Sequence, residues 1–118
     1  MKIAIIGFGN MGQTYANSFM SSGFVGASDI LILNKTTIEE KNSFGIDSTN
    51  FYIDPNPQIF ESDILILAVK PQDFKQLASE INAFLNPEHV VLSVMAGISI
   101  EAMQKELGVS KIVRSMPN

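Results

Sequence analysis

The residues with the clearest chemical potential lie close to the N-terminus. Gly7-Phe8-Gly9-Asn10-Met11-Gly12 has the form G-x-G-x-x-G. It follows the apolar run Ile3-Ala4-Ile5-Ile6 and opens a segment with helical spacing, Met11 to Met20. That context is what a dinucleotide-binding turn requires. Gly7 permits a tight turn, Gly9 lets a pyrophosphate approach the backbone, and Gly12 lets the next helix pack closely on the strand. Free N–H groups and the positive end of the helix dipole then favour phosphate.

A second group follows the next apolar run, Ile30 to Leu33. It reads Asn34-Lys35-Thr36-Thr37. An NAD site usually has an acidic residue there, about 20 residues past the glycines, to hold the ribose hydroxyls. This stretch offers amide, ammonium and hydroxyl donors and no carboxylate. The pattern favours a 2′-phosphate, and so NADP over NAD. Lysine supplies a point charge where arginine would supply a planar fork.

Two further turns end apolar runs. Ala68-Val69-Lys70-Pro71 closes the run from Ile64 to Val69, and Ser93 to Ile98 closes the run from Val90 to Val94. Ligands of open α/β sheets lie beyond the carboxyl ends of the strands. Ala68, Val69 and Lys70 are therefore expected beside the nicotinamide half of the cofactor. Ala96 and Gly97 are small enough for backbone to approach a ring. Blander readings apply elsewhere: His89 as an exposed turn residue, the six methionines as core filling, and Asp63 as the end of a helical turn.

Elements must hold these turns in place. The apolar runs are short and continuous, which predicts strands covered on both faces. A weaker strand is expected at Phe51-Tyr52-Ile53 and a last one at Ile112-Val113. Between them lie helical patterns. Met11 to Met20 has Tyr15, Phe19 and Met20 as its expected buried stripe. Thr37 to Phe44 reads as a short polar helix, and Pro57 to Ser62 as one more turn. Pro71 to Leu85 repeats Phe74, Leu77, Ala78, Ile81 and Leu85 at steps of three and four, with Pro71 suited to a first helical position. Ser99 to Leu107 has an N-cap serine, Glu101 in its first turn and Gly108 just beyond its end. Strand alternating with helix throughout predicts an α/β fold: a Rossmann-like, doubly wound parallel sheet of about six strands, with four or five helices on both faces.

Composition narrows the function. The chain has 118 residues, 46% of them hydrophobic and 17% charged, which suits one globular domain. A net charge of −4 argues against a nucleic-acid face or a polybasic membrane patch. With no cysteine and a single histidine, thiolate and polyhistidine metal sites are excluded. No apolar run reaches the roughly 18 residues needed to span a bilayer. Met1-Lys2 leads straight into a strand, so no signal peptide is read and a cytoplasmic protein is expected.

Together these motifs resemble the pyrroline-5-carboxylate reductase family, which performs the last step of proline synthesis. The resemblance rests on Ile5 to Gly12, Asn34-Lys35-Thr36, Asp63 through Gln72, Ser93 through Ile100, and Val113-Arg114-Ser115-Met116-Pro117-Asn118. It implies hydride transfer from NADPH to the imine of pyrroline-5-carboxylate. It also implies that Phe8 to Met11 hold the pyrophosphate, and Asn34, Lys35 and Thr36 the adenosine ribose and its phosphate. Ala68, Val69 and Lys70 would then line the nicotinamide, facing Ala96 and Gly97, and Asn56 would touch the adenosine ribose. Lys35 stands where the family often has arginine, and Met95 where it usually has a small residue. No residue of this chain is given a catalytic role.

Members of that family continue well past Met-Pro-Asn into a helical domain that builds the dimer and most of the substrate site. The chain is therefore expected to be the front part of the cofactor domain. Alone it should not reduce the imine, and its apolar surfaces should drive self-association. Two rivals stand beside this reading. One is the cofactor domain of another NADP-dependent reductase, such as a deazaflavin-dependent NADP reductase or a beta-hydroxyacid dehydrogenase. The other is an NADP-binding or interaction module without catalysis.

Overall fold

The computed structural model describes residues 1–38 and 44–115. Six strands form one sheet: β1 (Ile3–Ile6), β2 (Ile30–Leu33), β3 (Phe51–Tyr52), β4 (Ile64–Leu67), β5 (Val90–Ser93) and β6 (Ile112–Arg114). Every pairing is parallel and the spatial order is β3-β2-β1-β4-β5-β6. The order reverses between β1 and β4, so the topological switch point lies there. The expected Rossmann-like α/β architecture is the one observed.

Period-two alternation divides the core. Ala4, Ile6, Leu31, Leu33, Leu65 and Leu67 join one buried cluster, and Ile3, Ile5, Ile30, Ile32 and Ile66 join the other. Helix α1 (Asn10–Ser21) covers the second face through Ala16. Helices α2 (Phe74–Ile81) and α3 (Ile100–Leu107) cover the first through Phe74, Leu77, Ala78, Ile81, Met103 and Leu107. Each leucine, isoleucine, phenylalanine or methionine among them stabilises the fold by about 1.5–3 kcal/mol on full burial. A strand covered on both faces has no polar side, and this accounts for the uninterrupted apolar runs.

Several expectations shift in detail. The fourth and fifth runs leave the ladder at Leu67 and Ser93, before Val69 and Val94, as the chain turns toward the next helix. Strand β3 stops before Ile53, which is 54% exposed. The path from Pro71 to Phe84 is helical but broken: single 3-10 turns flank α2, and Pro71 occupies the first position as expected. The turn foreseen between Pro57 and Ser62 is a 3-10 turn at Ile59–Glu61. The described residues contain three α-helices, not four or five. Most of the helix expected from Thr37 to Phe44 falls on residues 39–43, outside the described residues, as do Met116, Pro117 and Asn118.

The buried stripe of α1 centres on Gly12 and Ala16, while Tyr15, Phe19 and Met20 are half-buried at its flanks. The bland reading of His89 also changes, while that of the methionines holds for all the described ones but Met1. His89 is buried: its Nδ1 accepts from the Asn86 N–H at 2.9 Å and its Nε2 meets the Phe60 carbonyl at 2.6 Å. One ring nitrogen accepts, so the other carries the proton and donates. The Asn86-Pro87-Glu88 turn folds the ring inward, a long-range effect that local composition does not reveal. Met95 and Met103 fill the core, whereas Met1 is exposed.

Candidate functional site

The strand ends around β1 and β4 border a cavity of about 370 Å³. Its floor is the glycine loop. Gly7 takes a positive φ of 97°, and a Cβ there would sit 2.9 Å from the Ala68 carbonyl carbon and from Val69 Cγ1. The Gly7 N–H donates to the Leu33 carbonyl at 2.8 Å, and this ties the loop to β2. A Cβ on Gly12 would run into the Gly7 carbonyl oxygen and lie 3.4 Å from Ile5 Cγ2. Close seating of α1 on β1 thus depends on the missing side chain. Gly9 differs: a Cβ there would meet nothing within 4 Å. It is the N-cap of α1, and no side chain caps that helix start. The first turn therefore keeps unsatisfied backbone N–H groups and the positive end of the helix dipole. An open, uncapped glycine cradle of this kind fits a phosphate group.

Asn34 joins this loop to the end of β2. Its Oδ1 accepts from the Phe8 N–H at 2.9 Å, and its Nδ2 donates to the carbonyl and Oγ1 of Thr36 at 2.9 and 3.1 Å. Both ends of the amide are engaged by the protein, so Asn34 shapes the loops. The Phe8 ring is buried and meets Phe44 and Phe51 edge-on at 6.3 and 5.6 Å, which leaves its backbone to face the cavity.

Long-range packing adds a charge that local reading missed. Lys35 Nζ lies 2.8 Å from Glu80 Oε2 on α2. Gln76, one helical turn before Glu80, donates to the same oxygen at 3.1 Å. The hydrogen bond from Lys35, then that from Gln76, holds the Glu80 carboxyl below its ordinary range. The end of β2 carries no carboxylate of its own, yet the fold delivers one.

The cavity brings together Gly7, Phe8, Gly9, Asn34, Lys35, Thr36, Ala68, Val69 and Lys70. Asn10, Met11 and Gly12 form the first turn of α1 and do not line it. Neither do Asn56, Ala96 and Gly97. Asn56 Oδ1 accepts from the Gln58 N–H at 2.9 Å and so heads a turn, while its neighbour Pro55 lines the cavity. Ala96 and Gly97 are exposed in the turn between β5 and α3. Ile53, Asp73, Gln76, Leu77 and Glu80 line the cavity without having been foreseen. The spacing of Gln76 and Glu80 marks one flank of a helix, but nothing local says that this flank faces Lys35. Among the described residues no cluster of three metal-ligating side chains occurs, and no helix is long and apolar enough to cross a membrane.

Comparison with known proteins agrees with this geometry. Residues 2–97 match the family described as NADP oxidoreductase, coenzyme F420-dependent. A pyrroline-5-carboxylate reductase of Aquifex aeolicus is 37% identical over 120 residues, covering 100% of this chain and 43% of that protein. The structure of a pyrroline-5-carboxylate reductase from Coxiella burnetii superposes with a TM-score of 0.79 at 26% identity, covering 99% of this chain and 44% of that one. The pyrroline carboxylate reductase of Plasmodium falciparum, solved with NADP bound, shares the fold with a TM-score of 0.79 at 22% identity, covering 100% of this chain and 42% of that one. The chain thus spans less than half the length of the curated relatives it matches.

Proposed function

Since the chain belongs to the family of coenzyme F420-dependent NADP oxidoreductases, we propose that it is the NADPH-binding part of a pyrroline-5-carboxylate reductase. The observation that carries this reading is the uncapped Gly9 cradle opening into a cavity that also holds Lys35. The named relatives support the choice of reaction.

The backbone of Phe8, Gly9, Asn10 and Met11 takes the pyrophosphate, and Gly7 and Gly12 hold that turn in shape. Lys35 and Thr36 take the adenosine ribose and its 2′-phosphate, with Asn34 fixing both loops and Asn56 at the ribose edge. Ala68, Val69 and Lys70 line the nicotinamide ribose and ring, opposite Ala96 and Gly97. NADPH, when bound, supplies a hydride for the imine carbon, and the imine nitrogen becomes the amine of proline. A protonated imine is already electrophilic, so the protein's work is to orient the reactants and exclude water.

Residues 1–118 form the front part of the cofactor-binding domain of a larger enzyme. The small-molecule substrate is met by further residues of that enzyme, the assembly is a homo-oligomer, and the location is the cytoplasm. The test is calorimetric titration of the chain with NADPH and then NADH in one buffer, since no tryptophan is present to report binding. Binding with NADPH preferred is the expected result. No heat from either dinucleotide overturns the reading.

A further inference from the structure

Within the cavity, Glu80, the partner of Lys35, is a residue that the proposed function leaves unused. Glu80 sits near the C-terminal end of α2, on the same flank as Gln76, while Leu77 and Ile81 turn into the core. Lys35 and Gln76 both engage its Oε2, which leaves Oε1 without a protein partner among the described residues. Asn34, Lys35, Thr36, Gln76 and Glu80 border the same space. One carboxylate and one ammonium therefore stand together where a ribose or its phosphate would bind.

We propose that Glu80 is a specificity-determining residue, whose carboxylate limits the preference for NADPH and admits NADH. The inference rests on the reading that this cavity binds a dinucleotide. A 2′-phosphate brings about −1.5 to −2 charges. To reach Lys35 it must share that ammonium with Glu80 and accept the repulsion of a like charge. A 2′-hydroxyl meets the opposite situation: it donates to the carboxylate, the role an acidic residue at the end of β2 performs elsewhere. Lys35 is 63% exposed and its stem is flexible, so it can turn from Glu80 to a phosphate without moving the backbone. Glu80 on α2 thus replaces the acidic residue missing after β2.

The experiment compares NADPH and NADH binding by calorimetry in the wild-type chain, Glu80→Gln, Lys35→Gln and the double variant. Glutamine keeps the shape of Glu80, and thermal melting checks each variant's fold. Exposed pairs act weakly, so Glu80→Gln is expected to tighten NADPH by about three- to fivefold. NADH should hold or weaken by about twofold, since one good acceptor is replaced by a poorer one. Lys35→Gln should weaken NADPH selectively, and in the double variant the gain from Glu80→Gln should shrink. An unchanged ratio of NADPH to NADH affinity in Glu80→Gln overturns the inference alone. A wild-type chain that binds neither dinucleotide overturns the reading of the cavity and the inference with it.

Discussion

Gly9 and Gly12 stand three residues apart in opposite surroundings. An alanine methyl at Gly9 meets no protein atom, whereas one at Gly12 collides with the Gly7 carbonyl. Gly12→Ala is therefore expected to destabilise the fold by about 1–3 kcal/mol, as overpacking does. Gly9→Ala should leave stability nearly unchanged and weaken NADPH by about tenfold or more, because its methyl occupies the phosphate approach. Chemical denaturation and calorimetry on the two variants separate these effects. Equal stability losses would show that Gly9 is a packing residue. Glu80 also makes stability depend on pH. Its folded-state pKa is lowered, so what its ionised form contributes to stability is present above its ordinary pKa. That contribution is lost as pH falls through the lowered value, and the exposure of its partner Lys35 keeps it small.

Among the elements, α3 is the one its own residues specify most fully. Ser99 Oγ accepts from the Ala102 N–H at 3.1 Å, Glu101 lies in the first turn, and Gly108 ends the helix with φ 72°. Ser99→Ala should cost about 1 kcal/mol by denaturant titration. Helix α2 depends on its packing: Ile81 is fully buried, and Ile81→Ala should cost about 2–5 kcal/mol. The larger loss at Ile81 follows if tertiary burial, more than local capping, holds the helix layer on the sheet. The reverse order would place the stability in local signals. The strands carry the same contrast. β1 and β2 are buried along their whole length and read as unbroken apolar runs. β6 lies at the sheet edge with Val113 56% exposed, so its sequence is less emphatic.

At the scale of the whole molecule, two apolar clusters sandwich one sheet, and several large apolar side chains remain outside. Phe24, Ile53 and Val113 are each more than half exposed. Concentration-dependent association in sedimentation velocity is the expected result, and a fully soluble monomer at high concentration would count against the proposed oligomer. The 118-residue chain by itself should show no turnover of pyrroline-5-carboxylate, a direct spectrophotometric test in which measurable NADPH oxidation gives the opposite answer. The sequence by itself determined the α/β class, the strands, the capped α3 and the glycine turn. Those features depend on neighbours along the chain: apolar runs, cap residues, and glycines beside a strand and a helix. Tertiary structure alone decided that Asn34 binds the Phe8 backbone, that His89 is drawn inward to the Phe60 carbonyl, and that Glu80 faces Lys35. These contacts join residues 26, 29 and 45 positions apart. Distances of that kind are set by how the strands order themselves in the sheet, which no local pattern encodes.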